Sequence, residues 1–512
     1  MGKKPAFGNT PAKRNAPRRK ATRETGAGEG NRTLVLSLEG FCSTIELHPL
    51  ALSDTRFPHP PRLSNRSKAL KSNLVEGEGF EPSKAVPADL QSAPFDRSGT
   101  PPNETRDYAA GLAPCQTAPR KARPRAGGRG ETGRNFPFRD EFAIVPAMST
   151  AVSPRPPDAI DLAGLERVLV IKLRHLGDVL LTSPLFTVLK NHAPHLEIDA
   201  LVYRDTADML SGHPAIRHVH TIDKAAREGG VLHRAGAEVN LLRTLRARRY
   251  DLVIHLTEHP RGAWITRLTG ARYGVARQRP GRFWRGSFTH LYPWLAGNRR
   301  HTVELHLDAL RRIGVQPAPH ERALTFVPGV DAEGEANTLL GQVGLEAGRF
   351  VVFHPGSRWW FKTWPAALAV RLLQALHGAG WRVAVTAAPD AQELAFVQAV
   401  LEQAGVPVAN LAGRLSLKAL GAVLGRARLF IGMDSAPMHM AAAMGTPTIA
   451  LFGPSGEVEW GPWQVPCRVL TSPHPCRPCG QDGCGGGKVS ECLAAIRPEA
   501  VLAAAEELIG RA

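Results

Sequence analysis

The 512-residue chain contains no uninterrupted apolar run of about 18 residues, so no membrane-spanning helix is expected. It has no G-x-x-x-x-G-K-[ST] loop, and no G-x-G-x-x-G follows a strand-like run; both P-loop and standard dinucleotide readings lose support. A G-x-S-x-G elbow of the esterase kind is missing as well. No apolar core of about 7–15 residues follows the basic Met1–Lys20 segment, so the layout of a signal peptide is absent. Cysteine is scarce, with 7 in the chain, and five of these fall after Met148.

What is present is unevenly spread. The chain is 43% apolar, as suits a soluble globular protein, but its 50 Gly and 42 Pro cluster in places. Residues 1–147 hold Pro-, Arg- and Gly-rich stretches such as Lys121–Gly130, with little sustained periodicity. With about 24 basic and 15 acidic side chains they supply about half of the +18 net charge. Such a composition buries too little apolar surface to offset the entropy of ordering. The basic bias is diffuse, lacks interleaved aromatics and matches no recognition module, so no nucleic-acid partner is expected. Gly77–Pro94 resembles conceptual translations of tRNA genes. On that reading Met148 is the true start and 1–147 is a non-native leader; a disordered tail is the alternative. Residues 148–164 read as a flexible start.

From Leu165 strand and helix patterns alternate. Val168–Ile171 is a short β-branched run, and Gly177-Asp178 opens a helical pattern to about Asn191. Leu196–Tyr203 and Asp251–His255 read as further strands. The pattern loosens near Gly314–Gly329 and then restarts. Strands are expected at Phe350–His354, Trp381–Thr386, Leu429–Gly432 and Thr448–Phe452. Helices are expected at Pro365–His377 and Ala391–Ala404, after Ser416, and from Pro437. Alternation of this kind predicts parallel βαβ units. The fold class is therefore α/β, with two doubly wound, Rossmann-like domains over 165–325 and 326–512 that face a central cleft. Ligands bind beyond the carboxyl ends of such strands.

Four strand ends carry unusual chemistry. The first is Lys172-Leu-Arg-His-Leu-Gly177-Asp178, where Gly177 reads as a tight turn and Asp178 opens a helix. Asp178 is either a helix cap or a carboxylate able to take a proton from an acceptor hydroxyl. The second is His354-Pro-Gly-Ser357, followed by Lys362-Thr-Trp-Pro365. Ser357 lies in turn chemistry that exposes backbone N–H groups. Lys362 precedes a helix, where the dipole disfavours a cation; an incoming anion would resolve the conflict. The third is Ala388-Pro-Asp390-Ala-Gln-Glu393, which reads as a capping box or as a ribose-binding acid. The fourth is Asp434-Ser435-Ala436-Pro437-Met438-His439. Proline suits a first helical turn, and free N–H groups there suit a phosphate. Asp434 would then accept hydrogen bonds from sugar hydroxyls, unless it or Ser435 is an N-cap. The histidines at His213, His218 and His220 read as surface loop and strand.

Four cysteines form Cys476-x2-Cys479-x4-Cys484-x7-Cys492. The spacing is compatible with structural zinc or an iron–sulfur cluster. It departs from paired C-x2-C knuckles, so reduced structural thiols remain the competing reading.

These motifs together resemble glycosyltransferase family 9, the ADP-heptose:lipopolysaccharide heptosyltransferases. Phe452-Gly-Pro-Ser-Gly-Glu457 and Trp460-Gly-Pro-Trp463 look most like the type III, lipopolysaccharide-core subgroup. The resemblance runs from about Leu165 to Ile509, with the motifs in family order. It implies a GT-B fold, acceptor domain first, and inversion at the anomeric carbon with no cofactor or metal required. It implies Asp178 as general base, Lys362 facing the diphosphate, Glu393 near the ribose and Asp434 on heptose hydroxyls. Ser357, Ser435, Ala436 and Pro437 would line the donor site with His439 nearby, though His439 reads equally as a structural helix residue. Many members carry glycine where Ala436 stands; alanine still leaves room for close backbone approach but restricts φ at the phosphate turn. The implied partners are ADP-heptose and the lipopolysaccharide inner core, with peripheral contact at the cytoplasmic face of the inner membrane. The roughly +9 charge outside the leader suits such anionic surfaces. Transfer from another nucleotide sugar, or a catalytically silent cysteine-module binding protein, are the alternatives.

Overall fold

The computed structural model describes residues 113–114, 156–224, 230–293 and 299–510, without the side chains of 231–234. The leader reading, 1–147, lies outside the described residues except for Ala113–Pro114, a two-residue strand β1. Residues 156–164, read as part of a flexible start, pack instead. Ile160 and Leu162 are buried, and Asp158 pairs with Arg312 at 2.6 Å.

The first sheet comprises β2 (Arg167–Ile171), β3 (Glu197–Tyr203), β4 (His218–Ile222), β5 (Leu252–His255), β6 (Tyr273–Arg277) and β7 (His290–Tyr292). Its order is β4-β3-β2-β5-β6-β7, all parallel. The second comprises β8 (Phe350–His354), β9 (Arg382–Val385), β10 (Ala409–Asn410), β11 (Leu429–Met433), β12 (Thr448–Leu451) and β13 (Cys467–Leu470). Its order is β13-β12-β11-β8-β9-β10, again parallel, with β1 antiparallel on the β13 edge. Each sheet thus has the strand order of dinucleotide-binding folds. The order reverses beside the first strand of each domain, between β2 and β5 and between β8 and β11, which is where such sheets open a crevice.

The apolar runs follow from burial on both faces. Val168 and Val170 of β2 join a core that continues through Leu324 and Phe326 to Phe350, Val352 and Phe430 of the second sheet. Leu169 and Ile171 point the other way, against Leu245 and Tyr250. Val351 and Phe353 of β8 face a third core with Trp364 and Leu373.

One expected helix is two. Leu176–Leu180 and Ser183–His192 are separated at Leu181-Thr182. Pro184 lacks an N–H, and its ring would clash with the Leu180 carbonyl of a continuous helix. The Thr182 hydroxyl, freed at the break, donates to the Val179 carbonyl at 2.6 Å. His213, read as a surface residue, is buried, and its Nδ1 accepts from the Ala215 N–H.

Candidate active site

The segments singled out in the sequence follow β2, β8, β9 and β11, three of them flanking the two crevices. On the first wall, the helix after β2 starts at His175 with no side-chain cap. The Asp178 carboxylate lies in the first turn, only 12% exposed, and faces Lys172 Nζ at 3.5 Å. That geometry removes the helix-cap reading of Asp178. Lys172 is buried at the end of β2, also 3.0 Å from His306 Nε2 and 3.4 Å from the Leu256 carbonyl. His306 Nδ1 lies 3.1 Å from the Leu181 carbonyl, so a neutral ring donates there and accepts from Lys172 at Nε2. Burial holds His306 well below the ordinary histidine range, and Lys172 adds to the effect. Burial also lowers Lys172, with the Asp178 carboxylate opposing it. His306 carries no motif: on a helix with buried Val303 and Leu307 it reads as a core histidine. The one available signal was Lys172 itself, a cation directly after the apolar run Val168–Ile171.

On the second wall, Lys362 and Asp434 are both buried and meet at 2.7 Å. The cation that looked unmatched in the sequence therefore has an anion of its own chain, supplied 72 positions later. Burial pushes the Asp434 carboxyl up, but Lys362, helped by the Ser455 hydroxyl and His439, outweighs it and holds it below the ordinary range. Asp434 does not cap the next helix, Ala436–Ala443. Its N-cap is Ser435, whose hydroxyl donates to the Met433 carbonyl at 3.3 Å and caps nothing. With Pro437 in the first turn, that helix start has no side-chain cap, as an anion-binding terminus requires.

Asp390, Glu393 and Ser357 are engaged within the fold. Asp390 caps the helix Ala391–Ala404, accepting from Gln392 and Glu393 at 3.0 and 3.2 Å. Glu393 does not complete the capping box; it reaches back to the Ala388 N–H at 3.0 Å. Burial raises its carboxyl, with that N–H working against it. A Cβ placed on Gly356 would lie 3.4 Å from Glu393 Oε2, so this acid sits against the Pro355-Gly356-Ser357 turn. Ser357 is spent within its own loop, its hydroxyl accepting from the Trp359 N–H and its N–H donating to Thr363 Oγ1.

The two walls touch at Gly177. Its φ is not positive, so the tight-turn reading fails; the glycine is needed for close approach. A Cβ there would stand 2.9 Å from His439 Cδ2 and 3.8 Å from the Ala436 Cα. A second crossing contact is edge-to-face, Trp359 against His175 at 5.9 Å between centroids. Burial lowers His439 to about 4, against the pull of Asp434 and Asp178, so the ring is neutral at neutral pH. Gly177→Ala is therefore expected to displace His439 and cost about 1–3 kcal/mol in urea unfolding. In a His439→Ala background the same change should cost far less, since the clashing ring is gone.

Cys476, Cys479, Cys484 and Cys492 are free thiols, and only Cys492 is buried, its thiol pushed up to about 11 by that burial. Among the described residues, no group of three or more His, Cys, Asp or Glu side chains is arranged to hold a metal ion. The segment buttresses the loop after β8: the Ser490 hydroxyl donates to the Phe361 carbonyl at 2.7 Å, and Arg477 holds the Gly453 carbonyl and Glu457.

Residues 239–489 match the model for glycosyltransferase family 9 (heptosyltransferase). The chain is 36% identical to lipopolysaccharide heptosyltransferase 3 of Escherichia coli over 295 residues, 57% of this chain and 84% of that protein. The chain belongs to glycosyltransferase family 9. It is accordingly a glycosyltransferase enzyme. A family 9 glycosyltransferase from Veillonella parvula superposes with a TM-score of 0.59 at 26% identity, covering 69% of this chain and 99% of that one. The Escherichia coli ADP-heptose lipopolysaccharide heptosyltransferase II does so with a TM-score of 0.53 at 22% identity, covering 67% and 98%. The fold is GT-B, as the two facing sheets imply.

Proposed function

We propose that the enzyme transfers heptose from ADP-heptose to a heptose of the lipopolysaccharide inner core, with inversion at the anomeric carbon. The observation that carries this reading is the packing of Gly177 on His439. It sets a carboxylate on one wall opposite an acid–base pair and an uncapped helix start on the other. The acceptor hydroxyl oxygen attacks the anomeric carbon while the bond to the diphosphate oxygen breaks. The proton passes to Asp178, and ADP leaves with the bonding electron pair. Lys362 and the helix start at Ser435–Pro437 stabilise the growing phosphate charge. Asp434, held ionised by Lys362, accepts from heptose hydroxyls, and Glu393 stands by the nucleotide end beyond β8 and β9. On this reading charge neutralisation comes from the chain itself, no divalent ion is required, and the cysteine segment acts only as a structural support. Similarity to a lipopolysaccharide heptosyltransferase supports the acceptor class. Among the described residues no helix is long and apolar enough to cross a membrane, and the enzyme would meet its lipid-borne acceptor by peripheral contact with the cytoplasmic face of the inner membrane.

The purified protein, ADP-heptose and a lipopolysaccharide acceptor ending in the inner-core heptoses are expected to yield a product heavier by one heptosyl unit in mass spectrometry. Asp434→Ala should abolish saturable donor binding. Transfer from a different nucleotide sugar, with none from ADP-heptose, would replace the donor assignment.

A further inference from the structure

The stretch from His259 to Arg300 carries nine arginines and no aspartate or glutamate. Other arginines of this domain sit against carboxylates, such as Arg248 with Asp199 and Arg312 with Asp158. Arg267, Arg279, Arg282 and Arg285 are all exposed, and none forms an ion pair among the described residues. They lie around two aromatics in tilted contact. Trp264, on the helix Pro260–Thr269, is 37% exposed and lies 4.6 Å from the half-buried ring of Phe283 on the one-turn helix Arg282–Arg285. The Arg267 guanidinium sits 4.9 Å over the Phe283 ring, and that of Arg279 sits 5.6 Å over Trp284.

We propose that this Trp264–Phe283 face seats the enzyme on the anionic phospholipid headgroups of a bilayer. It deepens, and rests on, the peripheral-membrane reading given above. Tryptophan and phenylalanine beside guanidinium groups match the headgroup layer, where an apolar ring face and a cation are both accommodated. Arginines with no carboxylate partner break no ion pair on meeting lipid phosphates, and Arg282 and Arg285, unlike Arg267 and Arg279, give up no hydrogen bond to Ser287 or the Glu258 carbonyl either; their forked donors bind phosphate bidentately. The position is apt as well. The helix bearing Trp264 begins just beyond the carboxyl end of β5, and Trp264 is four residues, about 6 Å, along it. A bilayer at this face holds a lipid-borne acceptor at the lip of the cleft that contains Asp178.

Sedimentation of the full chain with vesicles tests the proposal, comparing phosphatidylcholine alone with phosphatidylcholine containing phosphatidylglycerol. The wild type should bind the anionic vesicles, lose binding in high salt, and bind pure phosphatidylcholine weakly. Arg282→Gln/Arg285→Gln should lower the partition coefficient about 25-fold, fivefold for each charge at about 1 kcal/mol apiece. Trp264→Ala should lower it several-fold while leaving ADP-heptose binding intact. Equal binding to both vesicle types, or variants that bind anionic vesicles like the wild type, would overturn the proposal. So would variants that keep vesicle binding but show a raised KM for a delipidated, water-soluble acceptor, since the face would then read sugar phosphates. Donor binding is followed separately, so a wild type that sediments with anionic vesicles yet binds no ADP-heptose would count against the heptosyltransferase reading alone.

Discussion

Asp178→Asn is expected to lower turnover by about 10²–10⁴-fold while donor affinity changes little. That range is typical of a general base, and the amide keeps the shape of the carboxylate while losing its capacity to take a proton. Because the helix start does not use Asp178 as a cap, the substitution leaves its backbone hydrogen bonds in place. The stability cost comes instead from Lys172, a buried cation that would lose its counter-charge and be left with neutral partners, among them the His306 ring and the Leu256 carbonyl. Some loss in urea unfolding should therefore accompany the kinetic effect, and the test is whether turnover falls well beyond what that loss explains. Steady-state kinetics under saturating donor, with unfolding curves for the same preparations, separate the two. If turnover survives, the base lies elsewhere. His439, neutral and across the Gly177 contact, is then the residue whose replacement should abolish transfer.

Lys362→Ala should be costly in a different way. It removes the counter-charge of a carboxylate that is itself buried, and breaking such a pair from one side costs about 3–5 kcal/mol. The pH dependence has a definite sign. In the wild type the Asp434 carboxyl is held below its unfolded value, so its contribution is present above the ordinary carboxylate range and fades as pH falls through the folded value. Without Lys362, burial dominates and raises that carboxyl above its unfolded value. The variant's deficit should then shrink as pH drops from 7 toward 5, because the carboxyl is neutralised. Urea unfolding at the two pH values measures this. Lys362→Ala/Asp434→Asn should regain much of the stability at pH 7 yet remain without donor binding or transfer. Recovery of transfer in the double variant would mean that the pair is a structural tie and that the diphosphate is held by other groups.

The stability cost in each case is not legible in the linear sequence. Read alone, Lys362 is a cation at a helix start waiting for a ligand anion, and its removal would affect donor binding and turnover but not the fold. The buried contact with Asp434 makes it part of the fold as well.

What the sequence determined by itself was local. Val168–Ile171, residues 350–353 and Leu429–Met433 are continuous apolar runs because both faces of a parallel sheet are buried, and that property is written in consecutive residues. The motifs that follow them were legible for the same reason: a strand end and the turn after it are neighbours in the chain, so the crevice chemistry could be placed before any packing was known. Ser416 and Asp390 were readable as caps because a cap bonds an N–H two or three residues on. Only the tertiary structure decided which of these segments meet. The Lys172–His306, Lys362–Asp434 and Gly177–His439 contacts join residues 134, 72 and 262 positions apart. None has a periodicity to betray it. Lys172–His306 and Lys362–Asp434 each join elements packed within one domain, and Gly177–His439 exists because the two domains meet there; the burial that results changes what the same side chains do. In that setting Asp434 is an ionised partner of Lys362, His439 a neutral ring, and Gly177 an absent side chain between two walls.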